Sequence, residues 1–155
     1  MWNCYVLVIG VKKPCNVEFS GKSIIVDPGI YLYIGSARGP GGTLARVARY
    51  LSRQGKLWWH IDRLLACSSS SILGIFLLRA RNCDCEEEVS RVFKSNLNGI
   101  QGFGSSDKRR DYSHLYKCNT SLINCAIYTY SLLEAMECLE DITYVTLDKS
   151  YLSLK

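Results

Sequence analysis

GIYLYIGSARGPGGTLARVARY, residues 29–50, decides the fold: a short aromatic strand, a glycine-rich turn and a helix carrying arginines. Side chains alternate along a strand, so Tyr31 and Tyr33 share one side of it. Gly39-Pro40-Gly41-Gly42 then leads into a helix on which Arg46, Tyr50 and Arg53 share one face, because positions three and four apart are neighbours on a helix surface. Thr43 is placed to cap this helix. Leu44, Val47, Ala48 and Leu51 form its core stripe, which leaves the arginines and Tyr50 pointing outward. A cationic, phosphate-facing surface beside tyrosines results.

The rest of the chain reads as support for that stretch. Towards the N-terminus, residues 4–9 (CYVLVI) form a buried strand that Lys12-Lys13-Pro14 ends. Residues 16–19 and 23–26 flank Ser20-Gly21-Lys22, a hairpin signal, and Asp27-Pro28-Gly29 turns the chain into the aromatic strand. The N-terminal third is thus expected to be a small antiparallel sheet. Downstream, residues 57–65 (LWWHIDRLL) predict a short helix with Trp58, Ile61, Leu64 and Leu65 inward. A serine linker over 68–71 follows, and then a buried strand over 72–78 (ILGIFLL).

A further helix begins near Glu86, with Val89, Val92, Phe93 and Leu97 as its apolar stripe. At about 100° per residue, Glu86 falls within about 50° of the stripe's centre, Glu87 points away and Glu88 lies to the side. A carboxylate on the inward edge of a helix is unusual. Residues 102–107 (GFGSSD) and Lys108-Arg109-Arg110 form a loop of the kind that often carries binding residues, just before Ser113-His114-Leu115. From Cys118 the composition turns acidic. Residues 122–130 predict a strand or short helix, 131–139 a helix and 142–147 a strand, together an extension (118–155) packed on a domain of residues 1–117.

Composition sets the bounds. A chain of 155 residues with 48% hydrophobic content buries a real core. Positive charge concentrates early: residues 1–60 carry eight Lys/Arg against Glu18 and Asp27, whereas 61–155 carry eleven against twelve acids. Such an excess suits a polyanionic partner. The eight cysteines include no C-x-x-C pair, and buried reduced thiols are the expectation, with disulfides as the alternative in a hyperthermophile's protein. The apolar run at residues 5–11 lacks a preceding basic region and is short for a signal peptide, so a cytoplasmic location is expected. No stretch approaches the ~20 apolar residues of a membrane span.

In combination, Tyr33-Ile34-Gly35-Ser36-Ala37, Gly41-Gly42, Leu44 with Arg46 and Tyr50, Trp59-His60-Ile61-Asp62, the glycine loop at 102–107 and Ser113-His114-Leu115 resemble the GIY-YIG nuclease superfamily. More narrowly they resemble its Uri-like branch of small prokaryotic proteins, some fused to endonuclease III. The resemblance covers residues 1 to about 117. Ser36 stands where many members have lysine, and Lys108-Arg109-Arg110 stand where this branch often has cysteines.

The superfamily's two motifs lie on adjacent strands, which residues 29–35 alone cannot supply. The first motif is therefore assigned to Asn3-Cys4-Tyr5, with Tyr31 as the alternative to Tyr5. The resemblance then implies an α/β (α+β) fold, a small, mainly antiparallel sheet flanked by helices. It implies a Mg²⁺- or Mn²⁺-dependent endonuclease acting on DNA, with RNA as the alternative substrate. Tyr5 and Tyr33 would be the motif tyrosines, Arg46 the helix arginine, Tyr50 the residue one turn later and Glu86 the metal ligand. The register of that ligand stays open among Glu86, Glu87 and Glu88.

Phosphodiester hydrolysis needs an activated water and positive charge on the phosphate and the leaving oxygen. Tyrosine, with a reference pKa of about 10, would need positive charge from Arg46 or a metal to act as base. His60 is a reserve proton-transfer group. Ser36, Arg38, Arg49, Arg53, Lys108, Arg109, Arg110 and His114 are the expected nucleic-acid contacts. A non-catalytic nucleic-acid-binding module and a thiol or metal protein built on the cysteines are the competing readings.

Overall fold

The structure is a computed structural model and describes residues 1–37, 41–52, 57–104 and 113–147. Arg38, Arg53, Lys108, Arg109 and Arg110 lie outside the described residues. The fold is α+β. Its strands are β1 (Cys4–Val11), β2 (Cys15–Phe19), β3 (Lys22–Val26), β4 (Gly29–Ser36), β5 (Ser70–Ala80), β6 (Asn98–Gly99), β7 (Leu115–Cys118) and β8 (Leu139–Thr146). Its helices are α1 (Gly42–Ser52), α2 (His60–Ala66), α3 (Cys85–Asn96) and α4 (Leu122–Glu134).

An antiparallel sheet of order β6-β7-β4-β1-β5-β8 forms the centre. Every residue of β1 is buried, which is why its sequence is apolar without alternation. Tyr5, Leu7, Ile9, Tyr31 and Tyr33 face one layer, which holds Val47 and Tyr50 of α1 and Ile61, Leu64 and Leu65 of α2. Val6, Val8, Leu32, Ile34 and Phe76 face the other, with Val89 and Phe93 of α3 and Leu133 of α4.

Several expectations are corrected. The β2–β3 hairpin turns at Ser20 and Gly21, both at positive φ (51° and 75°) as a tight two-residue hairpin turn requires, but it forms a separate two-stranded sheet rather than extending the main one. Residues 122–139 hold one helix, α4, in place of two elements. Within the expected C-terminal extension, β8 pairs with β5 as an edge strand, and the boundary at 117/118 falls inside β7.

On α1 the buried face is Thr43, Val47 and Tyr50, while Leu44 and Leu51 are exposed. The reason is that Tyr50 has an aromatic partner, Tyr5, on the sheet face that α1 covers, which outweighs the small gain from covering a surface leucine. Thr43 does not cap the helix; its hydroxyl donates to the Trp2 carbonyl at 3.1 Å. Trp58, expected inward, is 60% exposed.

The cysteines are also corrected: all eight are paired, as Cys4–Cys85, Cys15–Cys67, Cys83–Cys138 and Cys118–Cys125. Cys4–Cys85 ties β1 to the first turn of α3, and Cys118–Cys125 ties the end of β7 to α4. Sequence spacing carries no sign of this, because burial is common to free and bonded cysteine. Such pairing is usual in oxidising compartments and in intracellular proteins of hyperthermophiles. Among the described residues no helix is long and apolar enough to cross a membrane.

Denatured, unreduced protein treated with an alkylating reagent is expected to keep its mass. Reduction is expected to lower the melting temperature, with a loss of about 2–4 kcal/mol for a bond that closes a long loop. Eight alkylated thiols before reduction would contradict the pairing.

Candidate active site

The antiparallel register of β1 and β4 sets Tyr5 opposite Gly35 and Leu7 opposite Tyr33. A Cβ at Gly35 would overlap the ring and hydroxyl of Tyr5, so the missing side chain is the space the tyrosine occupies. Tyr5 thereby crosses β4 towards α1. Its hydroxyl donates to that of Tyr50 at 3.3 Å, and the rings meet edge to face at 6.0 Å. Arg46, one turn before Tyr50 on α1, is hydrogen-bonded to the Tyr50 side chain.

Glu86 arrives from the other side. The Asp84 side chain accepts from the Glu87 backbone N–H at 3.1 Å and opens α3, while the Cys4–Cys85 bond pins that first turn to the start of β1. The Glu86 carboxylate accepts from the Ser36 hydroxyl at the end of β4, and its other oxygen lies 3.3 Å from His114 Nδ1. Of the three consecutive acids, Glu86 is buried, Glu87 is exposed and Glu88 pairs with Arg91.

Between these elements lies a cavity of about 250 Å³. Tyr5, Tyr33, Arg46, Tyr50, Glu86 and His114 line it, with Ser36, Trp59 and the backbones of Gly35 and Gly104. Tyr31 does not line it: it pairs with Ile9 further along the strands, and its hydroxyl donates to the Asp27 carbonyl at 2.6 Å. A larger cleft of about 810 Å³ shares Ser36 and Glu86 with this cavity, but its only other charged side chain among the described residues is Asp84. Size therefore does not mark the chemistry here.

Burial dominates the electrostatics. It pushes the Tyr5 phenol well above the ordinary tyrosine value, Tyr50 and Tyr33 add to the effect, and Arg46 opposes it without prevailing. Tyr33 is raised likewise by burial, then by Tyr50 and Glu86, again against Arg46. Both phenols are neutral donors in the free protein, so the activation expected from Arg46 alone is absent. Burial works against the charge of Arg46, but its bond to Tyr50 and the neighbouring tyrosines outweigh that and keep the guanidinium ionised.

His60 lies outside the cavity. Its Nδ1 accepts from the Gly104 backbone N–H at 3.1 Å, and its ring packs on Phe19 and Phe103. It anchors the Gly104 backbone, and burial followed by the charge of Arg63 lowers its pKa. Arg49 is engaged within the fold, 3.0 Å from the Asp62 carboxylate and 4.8 Å from the Tyr50 ring centre. Sequence reasoning left Asp62 unassigned and turned Trp58 inward. The legible signal was the acid at the third position of α2, where a carboxylate accepts from backbone N–H groups at a helix start.

A family described as Domain of unknown function DUF123 matches residues 4–135, a span that runs from β1 through α4. No curated protein and no solved structure matches the chain.

Because His60 takes up its proton at lower pH when folded than when unfolded, acid favours the unfolded chain. Its contribution is fully present above the unfolded value of about 6.5 and is lost as pH falls through the folded value. Thermal unfolding followed from pH 8 to 5 is therefore expected to show stability declining below about 6.5, and His60→Gln is expected to flatten that decline. An unchanged pH profile in the variant would remove His60 from the account.

Proposed function

The chain belongs to the DUF123 family, and we propose that it hydrolyses phosphodiester bonds in nucleic acid, DNA first among the substrates, as a metal-dependent endonuclease. The observation that carries the reading is one cavity holding an ionised arginine, three tyrosines and a buried carboxylate. Their motifs resemble those of the GIY-YIG nucleases, and the positive charge of residues 1–60 suits a polyanion. An intracellular setting belongs to the same reading.

The donor set fits one hard cation. Among the described residues no group of three His, Cys, Asp or Glu gathers, which argues against a site built wholly from protein ligands such as a structural zinc site. A lone carboxylate with a serine hydroxyl and an imidazole beside it fits Mg²⁺ or Mn²⁺, because Mg²⁺ usually keeps several waters and takes only one or two carboxylates. Glu86 would hold the ion, which when bound would supply positive charge at the leaving oxygen.

The remaining work falls to the chain's own groups. Arg46 presents a planar, permanently charged fork to the non-bridging phosphate oxygens. The neutral phenols of Tyr5 and Tyr33, with the Tyr50 hydroxyl beside them, orient the attacking water by hydrogen bonds. Hydrolysis forms a P–O bond to that water and breaks the P–O bond to the leaving oxygen, so a proton lost at the water is balanced by one gained at the leaving group. If Tyr5 accepts the water's proton, only its small ionised fraction is active, since burial holds its pKa high.

The raised Tyr5 and Tyr33 values favour a second reading, a nucleic-acid-binding module of the same fold without turnover. Cleavage of labelled DNA and RNA with Mg²⁺ or Mn²⁺ separates the two. Hydrolysis by the wild type is expected, with Arg46→Ala and Glu86→Gln each slowing it about 10²–10³-fold. The wild-type rate is expected to climb with pH from 7 to 9 without a plateau, and Tyr5→Phe to abolish that climb. Binding without cleavage would establish the module, and wild-type rates in both charge variants would overturn the assignment of the site.

A further inference from the structure

Residues 57–59 precede α2 and expose Leu57, Trp58 and Trp59 to 47%, 60% and 40%, while Ile61 and Leu64 in the helix that follows are fully buried. Two neighbouring tryptophans left in contact with water are unusual in a fold with a well-filled core, since tryptophan is highly buried on average. Their segment is also held firmly. The backbone N–H groups of Trp58 and Trp59 both donate to one oxygen of Asp62, at 3.1 and 2.9 Å. The other oxygen pairs with Arg49 of α1 at 3.0 Å, and the Asp62 side chain is only 5% exposed. The same Arg49 guanidinium lies 5.9 Å from the centre of the Trp58 ring. A buried ion pair thus ties the tryptophans to the helix that carries Arg46 and Tyr50, and Trp59 lines the cavity with those residues.

We propose that Trp58 and Trp59 form a stacking platform for an unpaired base next to the phosphate held at Arg46, so that the substrate class is nucleic acid with a single-stranded segment, not continuous duplex. The inference rests on the reading of the cavity as a phosphodiester site. Every base has a π-face that stacks on an aromatic ring, which gives affinity without sequence preference. Inside a duplex both faces of each base are covered by its neighbours. Stacking on this platform therefore requires a base freed by a single strand, a flap, a bulge or a frayed end. Because Asp62 and Arg49 fix the segment before binding, little ordering remains to oppose association. The sugar makes no part of the recognition, so single-stranded DNA and RNA share the chemistry.

The test uses the full chain in EDTA, which suppresses turnover and reads binding alone. Fluorescein-labelled single-stranded thymidine and uridine oligonucleotides are compared by anisotropy with a blunt DNA duplex of equal length, and tryptophan emission is followed in parallel. Both single strands are expected to bind at least about tenfold more tightly than the duplex and to quench tryptophan emission. Trp58→Ala and Trp59→Ala are each expected to weaken single-strand binding about 5- to 150-fold, with Trp59→Phe close to wild type. Retained melting temperatures in all three variants exclude misfolding as the cause.

Equal or tighter binding of the duplex, or wild-type single-strand affinity in both alanine variants, would overturn the platform. The second of these is also what a protein partner on this patch would produce. Tryptophan-dependent single-strand binding with no cleavage in any metal would keep the platform and refute hydrolysis. Cleavage of blunt duplex at wild-type rate by the alanine variants would do the reverse.

Discussion

The contact between Tyr5 and the bare backbone of Gly35 is the constraint on which the rest of the site depends. β1 and β4 are neighbours in the sheet, and their register leaves one position opposite Tyr5 without a side chain. Tyr5 fills that space, which carries its hydroxyl beyond β4 to Tyr50 and so joins the sheet to α1. Any larger residue at 35 would need either the ring or the strand to move. Close packing allows little of either, and overpacking a filled core typically costs ~1–3 kcal/mol. The face of α1 that turns inward, the placement of Arg46 and the mouth of the cavity all follow from this one contact.

The second constraint fixes Glu86 from the opposite layer. α3 covers the other face of the sheet, yet its first turn reaches the end of β4, where Ser36 and His114 meet the carboxylate. The Cys4–Cys85 bond holds that turn against β1. Phe103, Gly104 and His114 close the third side: the His114 N–H donates to the Phe103 carbonyl, the Ile34 N–H donates to the His114 carbonyl, and His60 holds Gly104. Charge is scarce inside this enclosure. One guanidinium does not offset the burial of two phenols, so the free protein keeps Tyr5 and Tyr33 protonated. In the proposed hydrolysis a cation at Glu86 would add the positive charge that Arg46 alone does not supply.

Much of this was legible in the sequence, and the failures have physical causes. The apolar run of β1, the Ser20-Gly21 turn and the inward lean of Glu86 follow from local periodicity and turn chemistry, which sequence records directly. Arg46 and Tyr50 were legible as a pair one turn apart. The inward turn of Tyr50 was not, because hydrophobic pattern alone favoured Leu44 and Leu51, and only the partner Tyr5 on the facing strand decides the choice. Trp58 was misplaced for the mirror reason. Its apolar ring suggested core, whereas the Asp62 carboxylate captures the backbone ahead of α2 and turns the ring outward. Cys4–Cys85, Cys15–Cys67, Cys83–Cys138 and the edge pairing of β8 join residues far apart in the chain, and no local pattern encodes them.

Phosphate and cation are proposed to meet between Arg46 and Glu86. Crystals of the full chain grown with a single-stranded oligonucleotide and Mn²⁺ test it most directly, through the anomalous scattering of manganese. The account predicts a manganese peak at the Glu86 carboxylate with a phosphate oxygen against the Arg46 guanidinium. Manganese bound elsewhere, or nucleic acid lying on another face with the cavity empty, would contradict it.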